Sequence, residues 1–291
     1  MMSKPAVLIN IVLYHPDKNK VLELINICFQ YEKIKILLFD NTEASKAFEF
    51  NNNNNKDIIL IKSPKNVGVG GAHYIACQMA ETENFDFVLF LDQDSQLSGN
   101  FISDMILAFY RLKKLHSRLC AIGPTWHDPD LKNLKTRALK DKIRNLLIAP
   151  NLKHVLISSG MLIWVPTLKH IGYPKKEYFI DLVDTEWCLR ALYKNYQIIM
   201  SPDVRMSHRI GEVKKWSNLF VQYEQPIRYY YSIRNSFLLF HEKNILLSYK
   251  IFILAGNLFK LRKIIFSPKP IQSLIAAGRG IKDGLILIKK Y

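Results

Sequence analysis

The sequence predicts an α/β domain built on a mixed, mostly parallel sheet flanked by helices, followed by a basic, amphipathic helical tail. Three observations carry this expectation. Short β-branched apolar runs alternate with segments of helical period, the pattern of strands joined by crossover helices. Carboxylate and amide residues follow the strands at their C-terminal ends, where open α/β sheets place ligands. Half of the net charge of +16 falls in the last 48 of 291 residues.

Ala6 to Tyr14 is a continuous apolar run suited to a buried first strand. His15-Pro16-Asp17-Lys18 after it is unlike the small-residue cleavage site of a secretory leader. Lys18 to Gln30 carries Val21, Leu22, Ile25 and Phe29 on one helical face, and Ile34 to Phe39 reads as a strand ending on Asp40-Asn41. Asn51 to Asn55 is a low-complexity loop before a third strand, Ile58 to Ile61. A helix is expected over Gly70 to Glu81, then a fourth strand, Phe87 to Leu91, running into Asp92-Gln93-Asp94, then a helix from Phe101 to Leu115.

Beyond it the pattern loosens into a polar, basic excursion, His127 to Arg144, expected to be a mobile loop over a site. Val155 to Val165 reads as a long strand carrying Ser159-Gly160, Asp181 to Lys194 as a helix, Gln197 to Met200 as a strand and Pro226 to Phe240 as an aromatic helix. Ser267-Pro268-Lys269-Pro270 divides the tail into two amphipathic pieces. The second has Ile271, Leu274, Ile275, Gly278, Ile281, Leu285 and Ile288 on one face.

Composition narrows the function classes. A hydrophobic content of 49% excludes disorder for most of the chain. Four scattered cysteines without a C-x-x-C pair suggest neither structural zinc nor a disulfide framework, and no stretch reaches the length of a membrane span. A charge of +16 calls for an anionic partner: nucleic acid, an anionic membrane surface or a phosphorylated substrate. From Asn244 to Tyr291 nine cations face one anion, Asp283. That clustering in an amphipathic tail favours a membrane surface over nucleic acid, although Tyr229-Tyr230-Tyr231 between Arg228 and Arg234 keeps the latter as a remote alternative.

Four local features bear on chemistry. Asp92 and Asp94 stand two apart where a strand emerges, so both carboxylates face the same way to bracket Mg²⁺ or Mn²⁺; a solvated Asp-rich turn has the same pattern. Asn66-Val67-Gly68-Val69-Gly70-Gly71-Ala72 allows close backbone approach to a phosphate at a helix start, or is a tight strand-to-helix turn. His73 stands where a dinucleotide fingerprint needs glycine, and no Walker lysine follows. In the helix from Asp181, Asp184 and Glu186 diverge by about 200°, and Glu186 stands four before Arg190, the order of an intrahelical ion pair. Asp184 also fits a helix-start carboxylate, and His208 is either a surface residue or a third ligand for a metal held by carboxylates.

Taken in order, these motifs resemble a family 2 glycosyltransferase of the GT-A (Rossmann-like, nucleotide-binding) fold, of the bacterial rhamnosyltransferase-type subgroup. The resemblance rests on Val12-Leu13-Tyr14-His15-Pro16, Phe39-Asp40-Asn41, Asn66 through Ala72, Phe90 through Ser95, Ser159-Gly160, Phe179 through Arg190 and His208 through Glu212. It implies that Tyr14 and Asp40 hold the pyrimidine base, with Asn66, Gly68, Asp92 and Gln93 also on the nucleotide-sugar, and that Asp92, Asp94 and His208 hold Mn²⁺ or Mg²⁺. Asp184 matches the catalytic base, with Asp181 and Glu186 as rivals because Val183 replaces the family's usual Glu; Ser159, Gly160, Glu186 and Trp187 match the acceptor side, Trp187 being equally suited to the core as an apolar-face residue.

The implied activity is inverting, metal-dependent transfer of a sugar in bacterial cell-surface polysaccharide (O-antigen or capsule) synthesis. The donor is expected to be dTDP-L-rhamnose, with a UDP-hexose or UDP-galactofuranose as alternative, and the acceptor a glycan or lipid-linked glycan. Residues 1–243 would form the catalytic domain, with a nucleotide-sugar half to about 115 and an acceptor half from 116, and residues 244–291 the tail. The expected location is the cytoplasm, peripheral on the inner face of the bacterial plasma membrane, with packing on the catalytic domain or a homodimer contact as the tail's other use.

Overall fold

A computed structural model describes residues 4–43, 46, 48–49, 56–127, 155–207, 212–216 and 219–290. The excursion expected as a loop lies almost wholly outside these residues. The described chain forms two compact units.

The first unit is a seven-stranded sheet, β1 (Val7–Leu13), β2 (Ile34–Asp40), β3 (Ile58–Lys62), β4 (Phe87–Asp92), β5 (Leu119–His127), β6 (Leu162–Trp164) and β7 (Gln197–Ser207), in the order β3-β2-β1-β4-β6-β5-β7. All pairings are parallel except those of β6, which runs antiparallel to β4 and β5. Helices α1 (Lys18–Cys28), α2 (Gly68–Thr82), α3 (Phe101–Leu115) and α4 (Val183–Tyr193) belong to the same unit. Every residue of β1 is buried, because alternate side chains enter two different cores. Val7, Ile9, Ile11 and Leu13 join the core that includes α1 and α3, while Leu8 joins Ala76, Cys77, Phe90, Trp187 and Cys188 on the other side.

Register places the functional edge. Leu13 pairs with Asp40 and Val12 with Asp92, so β1, β2 and β4 end together. The chain winds outward from β1 through β2 to β3 and returns to β4 on the other side of β1, which makes the C-terminal ends of β1 and β4 the switch point of the sheet.

Some elements differ from expectation. The long strand expected over Val155 to Val165 is three residues long, because residues 158–160 turn: Met161 N donates to Ser158 O at 2.9 Å and Gly160 has φ of 83°. β5 went unread in the sequence because Pro124 interrupts its pattern. The segments Gln197 to Met200 and Val204 to Met206 belong to one strand, β7, whose pairing with β5 slips between Pro124 and Thr125. The helix expected from Asp181 begins at Val183, because Asp181 and Leu182 both take φ of 61°.

The second unit holds a hairpin, β8 (Glu212–Trp216) with β9 (Leu219–Tyr223), residues 180–182, and helices α5 (Pro226–Leu238), α6 (Leu247–Lys260) and α7 (Pro270–Lys290). Tyr229 and Ile233 of α5 are buried with Ile264 and Ala277, so the boundary expected at residue 243 falls inside this unit. Tyr229 is therefore a core residue, and Tyr230 donates its hydroxyl to Asp283 at 2.8 Å, which removes two of the three tyrosines as a stacking platform. A Cβ on Gly280 would lie 2.6 Å from Tyr230 O, so glycine allows α7 to lie close against α5.

Much of the apolar stripe expected on the tail stays exposed, and small residues of α7 make the close approach. Ser273, Ala277, Gly280 and Gly284 are its buried residues, while Ile271, Leu274 and Ile275 are exposed by 72, 64 and 51%. Among the described residues no helix is long and apolar enough to cross a membrane.

All four cysteines are free and buried, and burial pushes the Cys28 thiol up to about 12. His73 lies in the core of the first unit, its ring stacked at 3.8 Å on Phe90 and its Nδ1 2.9 Å from the Asn10 side-chain amide. Burial disfavours the charged imidazolium and pushes its pKa from 6.5 down to about 3. Between those values the unfolded chain binds a proton that the folded chain does not, so this contribution to stability is present above 6.5 and lost as pH falls toward 3. Urea denaturation between about pH 6.5 and 5 is expected to show stability falling by up to about 1.4 kcal/mol per pH unit. The slope should flatten in His73→Leu; an unchanged slope would assign the acid sensitivity to other groups.

Candidate active site

The end of β1 is tied to the end of β4 by one side chain. Gln93 accepts from Tyr14 N at 2.7 Å and donates to Tyr14 O at 3.2 Å, so its amide is used on the backbone beside it. Tyr14 is 48% exposed, as a ring that is to stack on a planar ligand must be. His15 follows with φ of 46°, held by Thr42 Oγ1 accepting from its amide at 2.9 Å and by Glu43, 3.1 Å from its Nε2.

Asp40 and Asn41 turn inward. Asp40 is fully buried and its carboxylate accepts from Thr42 N at 2.9 Å and Phe48 N at 2.5 Å, so here it organises the loop after β2. Asn41 accepts from Val67 N at 2.9 Å and donates to Gly68 O at 3.2 Å, joining that loop to the glycine cluster. The sequence placed Asn41 in a motif without giving it a task; an amide at a strand end beside a glycine loop was the signal.

The glycine cluster meets protein. Gly68 has φ of 70°, its amide donates to Asn66 Oδ1 at 2.8 Å, and a Cβ there would lie 2.3 Å from Phe179 O. Gly70 donates to that same carbonyl at 2.8 Å, and a Cβ on it would lie 2.9 Å from Lys175 O. The glycines thus let the start of α2 press against residues 175–179.

β4 ends at Asp92, and Gln93-Asp94 lies in a turn closed by Ser95 N donating to Asp92 O at 3.1 Å. Asp94 has left the strand, so the two carboxylates do not share one strand face as expected. Asp92 is half-buried at the strand end and Asp94 is exposed in the turn. Gln96 bridges Ser207, which brings the end of β7 beside this turn; His208, the next residue, lies outside the described residues. Among the described residues no three His, Cys, Asp or Glu side chains converge on a metal.

Three acidic residues near the start of α4 have three fates. Asp181 is paired with Arg228 within the second unit, Arg228 Nε lying 3.2 Å from Oδ1. Glu186 has no exposed surface and takes Arg190 bidentately, at 2.7 and 2.9 Å. Arg190 also donates to Ile171 O at 2.5 Å and Tyr173 O at 2.9 Å, so the pair is a buried anchor. Asp184 is half-buried and accepts from Ser158 N at 3.1 Å and Thr185 N at 2.7 Å.

The acceptor roles expected of Glu186 and Trp187 do not suit these positions. Trp187 is fully buried, its indole donating to Gly172 O at 2.9 Å, so it packs in the core. Ser159 and Gly160 instead join the two acidic segments. Ser159 Oγ lies 3.0 Å from Ser95 Oγ, which accepts from Asp92 N at 3.0 Å, and Gly160 N donates to Phe90 O at 2.8 Å. The arrangement offers a half-buried carboxylate for proton transfer and an oxygen-rich turn suited to a hard divalent cation, on the sheet edge where Tyr14 is exposed.

Comparison with known proteins identifies the family and the fold. Residues 11–172 match the family model described as Glycosyl transferase family 2. The chain is 30% identical over 216 residues to the dTDP-rhamnosyl transferase RfbF of Shigella flexneri, covering 72% of this chain and 68% of that protein. It also resembles S. aureus TarS 1–349 in complex with UDP-GlcNAc, with a TM-score of 0.56 and 16% identity over 96% of this chain and 81% of that one. A longer TarS crystal structure gives a TM-score of 0.54 at 15% identity, over 91% of this chain, which spans only 44% of that one. At these identities the likeness to TarS shows the fold alone, a GT-A-type sheet with flanking helices.

Removing one charge of the buried pair isolates its role. Glu186→Gln is expected to cost about 3 kcal/mol, because it leaves the Arg190 charge uncompensated in the core. Urea denaturation of purified variants measures this. A loss below about 1 kcal/mol would show that the pair does not anchor α4.

Proposed function

The chain belongs to glycosyl transferase family 2, and on that premise we propose that it moves L-rhamnose from dTDP-L-rhamnose onto a glycan or lipid-linked glycan acceptor, with inversion and with a divalent metal. The activity class, a glycosyltransferase using a nucleotide-sugar, follows from the family; the donor is supported by the likeness to RfbF, a dTDP-rhamnosyl transferase. The observation that carries the choice of base is the bond from Ser158 N to Asp184, in the turn that meets the Asp92 segment. Asp181 and Glu186 are each held by an arginine.

Asp184 takes the proton of an acceptor hydroxyl as that oxygen attacks the anomeric carbon. The bond from that carbon to the diphosphate breaks on the opposite face, releasing dTDP, and the single displacement inverts the centre. Tyr14 stacks on the base, while the loop organised by Asp40, Asn41 and Asn66 shapes the nucleotide's surroundings. The donor set is fit for a hard cation, since Asp92 and Asp94 supply carboxylate oxygens and a neutral His208 would add a nitrogen. Bound there, Mn²⁺ or Mg²⁺ would offset charge on the departing diphosphate as a Lewis acid.

Release of nucleotide from dTDP-L-rhamnose, UDP-glucose and UDP-galactofuranose, with Mn²⁺ or with chelator, tests this reading. The dTDP-sugar should be preferred, chelator should suppress turnover, and Asp184→Asn should lose about 10³-fold or more in kcat. Equal background in wild type and Asp184→Asn would sink the assignment.

The second unit supports a peripheral place on an anionic membrane. Ile251, Phe259, Ile265, Ile271 and Leu274 are exposed by 53 to 72%, and Lys260, Arg262, Lys269, Arg279 and Lys282 are exposed among them. Each cation near an anionic surface adds about 1 kcal/mol, and the apolar side chains add burial below the headgroups. Co-sedimentation should be strong with phosphatidylglycerol vesicles and weak with phosphatidylcholine. The combined change Ile271→Ser, Leu274→Ser, Ile275→Ser should reduce it; full retention would make the exposed apolar face a protein contact, such as a homodimer interface.

A further inference from the structure

We infer that the buried hydroxyl pair Ser95–Ser159 is a positioning device that holds the base Asp184 in register with the Asp92 segment; this rests on the sugar-transfer reading above. Ser95 and Ser159 are 7 and 1% exposed, too buried to meet an acceptor, and the sequence expectation of an acceptor role for Ser159 does not explain a hydroxyl in the core. Their oxygens lie 3.0 Å apart, across 64 residues of chain. A serine pair at such a spot needs a reason, because burying a hydroxyl is favourable only when its hydrogen bonds are made.

Its connections supply one. On one side Ser95 Oγ accepts from Asp92 N at 3.0 Å and Ser95 N donates to Asp92 O at 3.1 Å, so this serine closes the acidic turn on itself. On the other side, Ser159 follows Ser158, whose amide donates to Asp184 Oδ2 at 3.1 Å. The turn is pinned to β4 by Gly160 N on Phe90 O at 2.8 Å and Phe90 N on Met161 O at 3.1 Å. Gly160 has φ of 83°, and a Cβ there would lie 2.7 Å from Pro124 Cγ, so the turn has little freedom to re-form elsewhere.

The backbone bonds fix the turn to the sheet at Gly160 and Met161, and the hydroxyl pair fixes its leading edge, next to the amide that holds the base. Without the pair, only the backbone bonds at Gly160 and Met161 tie Ser158 N to the Asp92 turn. Transfer is sensitive to their relative placement, because the base and the leaving diphosphate act on opposite sides of one carbon. The pair touches neither Tyr14 nor the glycine cluster, and Asp92 keeps its place at the end of β4, so the loss falls on kcat more than on donor binding.

Kinetics of dTDP release from dTDP-L-rhamnose by the full chain, using Ser95→Ala, Ser159→Ala and the double variant, test this. Each single change should lower kcat about tenfold with the donor KM within about twofold. The double variant should be no slower than Ser95→Ala, as expected of two groups acting through one bond. Ser95→Thr, which keeps the hydroxyl, should recover most of kcat, and thermal midpoints should not follow the order of kcat. Losses that multiply in the double variant, or that appear in KM or track thermal midpoint, would overturn the pair's role while leaving sugar transfer intact. A wild type that releases nucleotide from none of the three sugars would overturn both readings.

Discussion

The in-register ending of β1, β2 and β4 is the constraint on which the site depends. Parallel pairing of Leu13 with Asp40 and of Val12 with Asp92 delivers Tyr14, Asn41 and Gln93 to one edge of the sheet before any side chain chooses a partner. A slip of one residue would exchange the two faces of β1, putting Leu8 and Asn10 where Val7, Ile9 and Ile11 now pack. The cost of that exchange locks the register, and the locked register lets Gln93 bond both backbone groups of Tyr14.

Around that edge the polar residues work mostly on one another. Asp40 spends its carboxylate on two amides, Asn41 spans to the glycine cluster, and Gly68 and Gly70 meet the carbonyl of Phe179. Such bonds stiffen the loops that surround a ligand, so side chains are already oriented when it arrives. A glycine cluster beside a helix start is thus required here by backbone packing alone.

The strands β1 to β4 and the helices between them were legible because apolar period and β-branched runs set them locally. β5 was not, since Pro124 and a polar flank hide its pattern, and the reach of the strand expected over Val155 to Val165 was overestimated because Ser158 to Gly160 turn. Asp184, Ser159 and Asp92 were readable as candidates, but their connection was not. The Ser95–Ser159 and Ser158–Asp184 bonds join positions 64 and 26 residues apart, beyond any local pattern.

The sequence alone determined the alternation of strand and helix, the acidic residues after β4 and near α4, the likeness to its family and the basic tail, because each is written in neighbouring residues. Only the tertiary structure showed what holds Asp181, Asp184 and Glu186. Arg228 takes the first from 47 residues away and a dry core closes over the last with Arg190, which leaves Asp184 at the turn that meets Asp92. Tertiary structure also decided which side of α7 packs. The close approach to α5 favours small residues, so Ser273, Ala277, Gly280 and Gly284 face inward beside a half-buried Ile281, while Ile271, Leu274 and Ile275 face out.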